Sequence, residues 1–303
     1  MLLHEDKSRF RELIDETSEA FELVPSIIEK DYYVTCILKR IVENVPSIVF
    51  KGGTALSKCF QVIQRFSEDV DISFGDGKNR PTQKQRKDTN LAVRHICQEN
   101  GFGRCILKDE FRSNRVFNSA VIEYGRLSDD TTVESKIIVE LSQFSATYPV
   151  QEKSAATYIT DYLKKKRDQK TIGQFNLEPF PVSVQTLERT FVDKVFALCD
   201  YYLRGEITRN SRHIYDLYCL YPQIEMSGLG ELAKEVRVLR MGLKLALSAR
   251  PECSVKNTLA QIVSKRYFMQ DYNQLTRRFL FKNVPYTNAI SVLSKIIDLD
   301  IFD

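Results

Sequence analysis

The sequence predicts an α/β chain of the α+β kind: a small mixed sheet with flanking helices, followed by a C-terminal helical bundle. Two observations carry this. Strand-like and helix-like runs alternate up to about residue 180, and from Gln185 onward every periodic segment has helical spacing. The 303 residues, 43% hydrophobic and 28% charged, suffice for two domains with cores of their own. The boundary is placed near Phe180, giving a front domain over 1–180 and a rear domain over 181–303.

Taken in order, residues 4–22 and 26–44 read as amphipathic helices, the second stopped by Pro46. Ser47–Lys51 is an apolar run that ends at a glycine pair, the pattern of a buried strand and a turn. Thr54–Arg65 has helical spacing, Glu68–Phe74 alternates as a strand, and Gly75–Pro81 is a polar loop. A helix over Thr82–Asn100 precedes three β-rich runs near Arg104–Lys108, Arg115–Tyr124 and Thr132–Phe144. Ser154–Lys166 is helical, and Pro179 and Pro181 mark the passage to the rear half. There the predicted helices cover 186–203, 209–221, 228–248, 253–267, 269–282 and 287–299.

Composition narrows the function classes. No apolar run approaches the roughly 18 residues of a membrane span, and Met1-Leu2-Leu3 passes directly into His4, Glu5 and Asp6 without a secretory pattern, so the expectation is a cytoplasmic protein. Seven scattered cysteines without a C-x-x-C pair, and only three histidines, argue against a zinc site or disulfide framework and for reduced thiols. A net charge of +4 does not by itself indicate nucleic acid.

The first chemical constellation is Phe50-Lys51-Gly52-Gly53-Thr54, followed after one helix by Arg65-Phe66-Ser67-Glu68-Asp69-Val70-Asp71-Ile72. Two glycines between strand and helix let the backbone approach a ligand and offer free N–H groups to a phosphate. Asp69 and Asp71, two apart on a strand, project from one face while Val70 and Ile72 point to the other. Adjacent carboxylates repel, and a divalent cation such as Mg²⁺, shared with nucleotide phosphates, relieves the repulsion. Either feature alone is commonplace, a tight turn or a polar strand edge; their combination points to metal-assisted phosphoryl chemistry.

Gly-Gly-Thr, a short helix and Arg-Phe-Ser-Glu-Asp-Val-Asp-Ile resemble motif I of the AbiEii/AbiGii-type toxin nucleotidyltransferases, a branch of the polymerase-β superfold. The upstream Ile28-Glu29-Lys30-Asp31-Tyr32-Tyr33 is similar to that family's leading helix. The resemblance runs from about residue 25 to 221 and implies a polymerase-β-like nucleotidyltransferase palm. It implies NTP as substrate, Mg²⁺ as cofactor, Asp69 and Asp71 as metal ligands, and Lys51, Gly52, Gly53, Thr54 and Ser67 around the nucleotide. It also implies a toxin of a bacterial toxin–antitoxin or phage-defence pair, restrained by a separately encoded antitoxin, with the tRNA 3′ end as acceptor. The superfold expects a third carboxylate on a neighbouring strand, and Glu140 in Ile137-Ile138-Val139-Glu140-Leu141 is the candidate.

The second constellation lies in the rear half. Helical spacing sets Lys194 beside the stripe of Leu187, Phe191 and Leu198, where a lysine either snorkels to water or faces an anion. Arg209, Arg212 and Asp216 fall at i, i+3 and i+7 on one predicted helical face, opposite Ile214, Leu217 and Tyr221. Read from spacing alone, Arg212 and Asp216 make an ordinary surface pair of a few tenths of a kcal/mol. The resemblance implies more: Lys194 neutralising triphosphate charge, Arg212 and Asp216 completing the nucleotide site. Asp216 then either binds metal indirectly or positions Lys194 or Arg212.

Lys164–Arg167 with Lys170, and Arg277, Arg278 and Lys282, are basic clusters suited to an RNA backbone or to plain solvation. His4 and His95 receive no role, and His213 at most a peripheral one. The expected activity is transfer of a nucleoside monophosphate from an NTP to a hydroxyl acceptor. Protein nucleotidylation and a non-catalytic nucleotide- or nucleic-acid-binding module are the alternatives.

Overall fold

A computed structural model describes residues 1–45, 47–75, 81–108, 112, 115–143 and 147–303. Most of the expected loop Gly75–Pro81 and the end of the third β-run at Phe144 lie outside the described residues. The chain packs as two units: residues 1–60 with 67–184, and 61–66 with 185–303. The sequence reading drew one cut near Phe180; the rear unit starts at Gln185 and also takes in Gln61–Phe66.

In the first unit, α1 (Lys7–Phe21) and α2 (Pro25–Asn44) precede β1 (Ile48–Lys51) and α3 (Gly52–Lys58). Then come β2 (Val70–Phe74), α4 (Gln83–Gln98), β3 (Gly103–Leu107), β4 (Phe117–Tyr124) and β5 (Lys136–Ser142). β6 (Val150–Ala155), α5 (Tyr158–Lys166), α6 (Gln169–Gln174) and β7 (Phe180–Gln185) complete it. Among the described residues seven strands form one sheet in the order β3-β4-β5-β2-β1-β7-β6. It is mixed as predicted: β1·β2, β3·β4 and β4·β5 run antiparallel, β2·β5 and β1·β7 parallel.

The sheet's central strands are covered by α2, which contacts β5 and packs against α1, α4 and α5. Its Ile28, Tyr32, Val34, Ile37, Leu38 and Ile41 are at most 1% exposed. Each such apolar side chain contributes about 1.5–3 kcal/mol by leaving water. The first half of the helix is buried on nearly all sides, so its Glu29, Lys30 and Asp31 are buried too, and each of these has a partner.

Four local readings need correction. The helix expected over Thr54–Arg65 stops at Lys58, and Gln61 turns left-handed (φ 55°). Beyond it the chain pairs with residues 279–281, a tertiary choice that overrides helical spacing. β7 escaped notice because Pro179 and Pro181 suggested a break. Phe180, Val182 and Val184 nevertheless alternate into the core while Pro181 faces outward, and Phe50 pairs Val184. β6 is polar and lacks apolar alternation, and the six-residue α6 is too short for a periodic signal.

The second unit is helical: α7 (Leu187–Arg204), α8 (Arg212–Leu220), α9 (Leu229–Met241), α10 (Val255–Ser264), α11 (Met269–Gln274) and α12 (Tyr286–Asp298). α7 is the central helix, in contact with α8, α9 and α10. Thr186 caps its first turn and Gly205, at φ 73°, ends it. The helix expected over 269–282 breaks after Gln274, and residues 276–279 form a 3₁₀ turn that leads into the pairing with Arg65. The helix expected over 209–221 begins only at Arg212. Arg209 precedes it in a left-handed conformation (φ 65°), and the backbone N–H groups of Arg209 and Ser211 donate to the Asp271 carboxylate. Among the described residues no helix is long and apolar enough to cross a membrane.

Candidate active site

In the first unit the candidate residues form a row across the sheet. Lys51 on β1 is the register partner of Asp71 on β2, and Asp71 that of Glu140 on β5. Register partners put their side chains on one face, so Lys51, Asp71 and Glu140 stand side by side. Ser119 of β4 continues the row, opposite Glu140. Val70 and Ile72 are fully buried on the other face, while Asp69 and Asp71 are half-buried. Asp69 lies just before β2 rather than on it.

Gly52 opens α3 at φ 76°, and a Cβ built on it would stand 2.0 Å from Oδ2 of Asp71. The glycine is therefore required: the Asp71 carboxylate occupies the space a side chain would take. Gly52→Ala would cost about 1–2 kcal/mol in backbone strain alone and would push Asp71 aside. We expect a folded variant with little transferase activity, checked by an incorporation assay beside a thermal melt; wild-type activity would show that the position of Asp71 is unimportant.

Other residues hold this row in place. The buried Thr54 hydroxyl donates to the Asp69 carbonyl (2.5 Å) and hydrogen-bonds the Ser67 hydroxyl (3.0 Å), which ties the segment before β2 to α3. The α2 residues Glu29, Lys30 and Asp31 each secure a different neighbour. Glu29 accepts from the N–H groups of Leu127 and Ser128 (2.6 and 3.0 Å). Lys30 pairs with Glu68 and donates to the Glu134 carbonyl, and Asp31 pairs with Lys58 (2.5 Å) and accepts from the Tyr158 N–H. The leading-helix motif is thus a set of buried ionic anchors, one of them on the residue preceding Asp69.

The second unit holds a buried ion cluster of Arg65, Lys194 on α7 and Asp216 on α8. Asp216 is fully buried and takes a two-pronged guanidinium: Arg65 Nε donates to Oδ1 (2.7 Å) and Nη2 to Oδ2 (2.8 Å). Lys194, 7% exposed, donates to the same Oδ2 at 2.7 Å. Burial alone would raise the Asp216 carboxyl, but Arg65 and then Lys194 more than reverse this and hold it well below the usual carboxylate range. Burial lowers the Lys194 ammonium below its ordinary value; Asp216 opposes this, while Arg65 and Arg212 reinforce it. Arg65 and Lys194 thus share this one buried carboxylate.

This arrangement differs from the face expected of Arg209, Arg212 and Asp216. Arg209 is off the helix, Arg212 at its first position is exposed, and Asp216 one turn later points into the interior. The contacts of Asp216 run to Lys194 and Arg65. In the sequence Arg65 is only part of the motif string; the signal that marks it is an arginine beside the apolar Val62, Ile63 and Phe66. His213 stacks on Tyr201 (centroids 5.3 Å), and burial with Lys194 and Arg212 nearby keeps its imidazole neutral.

Among the described residues no three His, Cys, Asp or Glu side chains already converge as a metal cage. A Mg²⁺ site needs less: one or two carboxylates, with water and substrate phosphates as the remaining ligands. Asp69, Asp71 and Glu140 supply hard oxygen donors of the right kind. The cysteines are free, and burial pushes the thiols of Cys36 (about 12), Cys59 and Cys219 (about 11) up, which leaves them protonated and unreactive.

Comparison with known proteins agrees with this chemistry. The profile of the family described as nucleotidyl transferase AbiEii toxin, type IV TA system, matches residues 36–287. Among solved structures, the chain is similar to MenT4, a nucleotidyltransferase toxin from Mycobacterium tuberculosis H37Rv. The TM-score is 0.50 at 16% identity, over 89% of this chain and 84% of that one, a likeness of fold. No curated protein matches in sequence. The matched profile spans both the glycine–aspartate row and the Lys194–Asp216 cluster, and the chain belongs to the AbiEii family of nucleotidyltransferase toxins of type IV toxin–antitoxin systems.

Proposed function

We propose that this nucleotidyltransferase moves a nucleoside monophosphate from an NTP to the 3′ end of tRNA, with Mg²⁺ held by Asp69, Asp71 and Glu140. The observation that carries the reading is the alignment of Asp71 with Glu140 over a glycine that leaves room for the carboxylate. In the reaction the acceptor hydroxyl oxygen bonds to the α-phosphorus. The bond to the bridging oxygen breaks, pyrophosphate leaves with that electron pair, and the hydroxyl proton is released. A bound Mg²⁺ supplies positive charge at the attacking and leaving oxygens.

The chain's own residues do the rest. The backbone N–H groups at Gly52 and Gly53 would receive phosphate, with Lys51 and Ser67 beside them. Lys194 offsets triphosphate charge, Arg212 adds an exposed cation, and Asp216 keeps Lys194 in place. The tRNA acceptor follows from the family resemblance, and exposed Lys265, Arg266, Arg277, Arg278 and Lys282 on the second unit suit a phosphate backbone. The same resemblance supports the reading of a cytoplasmic toxin restrained by a separately encoded antitoxin.

The test offers the purified chain each labelled NTP, with tRNA and with lysate protein in separate reactions. We expect label in tRNA, lost with a chelator and restored by Mg²⁺, and growth arrest on induction that Lys194→Ala relieves. Label in protein instead would favour protein nucleotidylation. Incorporation into neither pool would leave the proposed acceptor without support.

A further inference from the structure

We infer that Arg65 is a positioning residue for transfer, acting on Lys194 through the carboxylate they share. The inference rests on the reading of Lys194 as the cation that meets the triphosphate. Arg65 is 4% exposed, and its Nε and Nη2 clasp both Asp216 oxygens while Nη1 donates to the Phe66 carbonyl at 3.0 Å. Its backbone is held as firmly. The Phe66 N–H donates to the Phe279 carbonyl and the Phe281 N–H to the Gln64 carbonyl, both at 2.9 Å, and the Gln64 N–H reaches the Tyr215 hydroxyl at 3.2 Å. Arg65 itself forms an antiparallel bridge with Leu280. A guanidinium fixed at both ends is a rigid template for the carboxylate it grips.

Two consequences follow for Lys194. The first is geometric. Asp216 bound at both oxygens cannot rotate about its terminal torsion, so the Lys194 ammonium, 2.7 Å from Oδ2, has one place to be. The second is electrostatic. Alone with Asp216, Lys194 would form a neutral pair; with Arg65 taking a share of the carboxylate, the trio keeps one positive charge. In the chain, Arg65 also stands only two residues before Ser67 and four before Asp69. A residue that looks like part of a carboxylate motif therefore serves the lysine instead.

The test uses the full chain with Arg65→Lys and Arg65→Gln, read as kcat and NTP KM per folded molecule, beside Lys194→Ala. Lysine keeps the charge and loses the two-pronged grip. Misplacement of a group by about 1 Å can cost about 10²-fold in rate, and Arg65→Lys should lose about that in kcat while KM for the NTP stays near the wild-type value. Arg65→Gln also removes the surplus charge and should raise KM as well as lower kcat. A purely structural arginine would lower the melting temperature and leave kcat per folded molecule unchanged in both variants; that result overturns the inference. If Lys194→Ala itself transfers at the wild-type rate, the reading of Lys194 falls and the inference with it. If Lys194→Ala is inactive while Arg65→Lys is fully active, only the inference about Arg65 falls.

Discussion

Asp71→Asn should abolish nucleotide transfer while leaving the fold intact. Asp71 is half-buried at the start of the sheet's central strand, between Lys51 and Glu140 in register, with its carboxylate over Gly52. The amide is nearly isosteric, so the row keeps its packing, but the negative charge that would hold a divalent cation is gone. Loss of metal electrostatics costs several kcal/mol of transition-state stabilisation, about 10³-fold or more in rate. Asp69→Asn should behave alike. The measurement is label incorporation per folded molecule, with a melt as the control for folding. An Asp71→Asn variant that transfers at the wild-type rate would remove Asp71 from the metal site and take the mechanism with it.

Asp216→Asn should have the opposite character, a loss of stability first and of activity as a consequence. Its carboxylate is fully buried between Arg65 and Lys194, and neutralising it removes the anion that these two buried cations share. Breaking a buried ion pair by removing one partner costs about 3–5 kcal/mol, which urea unfolding would read directly. The pH dependence has a definite sign. Asp216 is held well below the unfolded carboxylate value of about 3.9, so its contribution is present above that value. On acidification through the window below 3.9 the unfolded chain takes up the proton first, and the wild type loses stability there. The variant lacks that component of acid sensitivity. A stability within about 0.5 kcal/mol of the wild type, the range of ordinary surface substitutions, would mean that the cluster is not the anchor its geometry describes.

The residues on which these predictions turn were unequally legible in the sequence. Gly52, Asp69 and Asp71 sit within twenty residues of one another, and period-2 alternation through Val70 and Ile72 predicts the two aspartates on one face, although Asp69 lies just before β2. Lys194 stood out as a charge beside an apolar stripe. The helical rear half was legible as well, because long amphipathic helices repeat their signal over several turns. β6, β7 and α6 were not legible: β6 is polar, β7 is interrupted by prolines, and α6 is a single short turn and a half.

What the sequence by itself determined is the α/β front and helical rear, the strand–glycine–helix–aspartate order, and the family to which that order belongs. Local rules sufficed for these, since backbone conformation and side-chain periodicity are set within a few residues. What only the tertiary structure decided is which side chains meet. Glu140 comes to Asp71 through a parallel strand pairing some seventy residues distant, and Arg65 comes to Asp216 through pairing with residues 279–281. Spacing alone makes Asp216 a surface carboxylate paired with Arg212, because helical spacing is blind to what packs against the helix; only the resemblance implied a place in the nucleotide site. Burial reversed that assignment: an anion removed from water must be matched by cations at hydrogen-bond distance, and the cations that match it lie on two other segments of the chain.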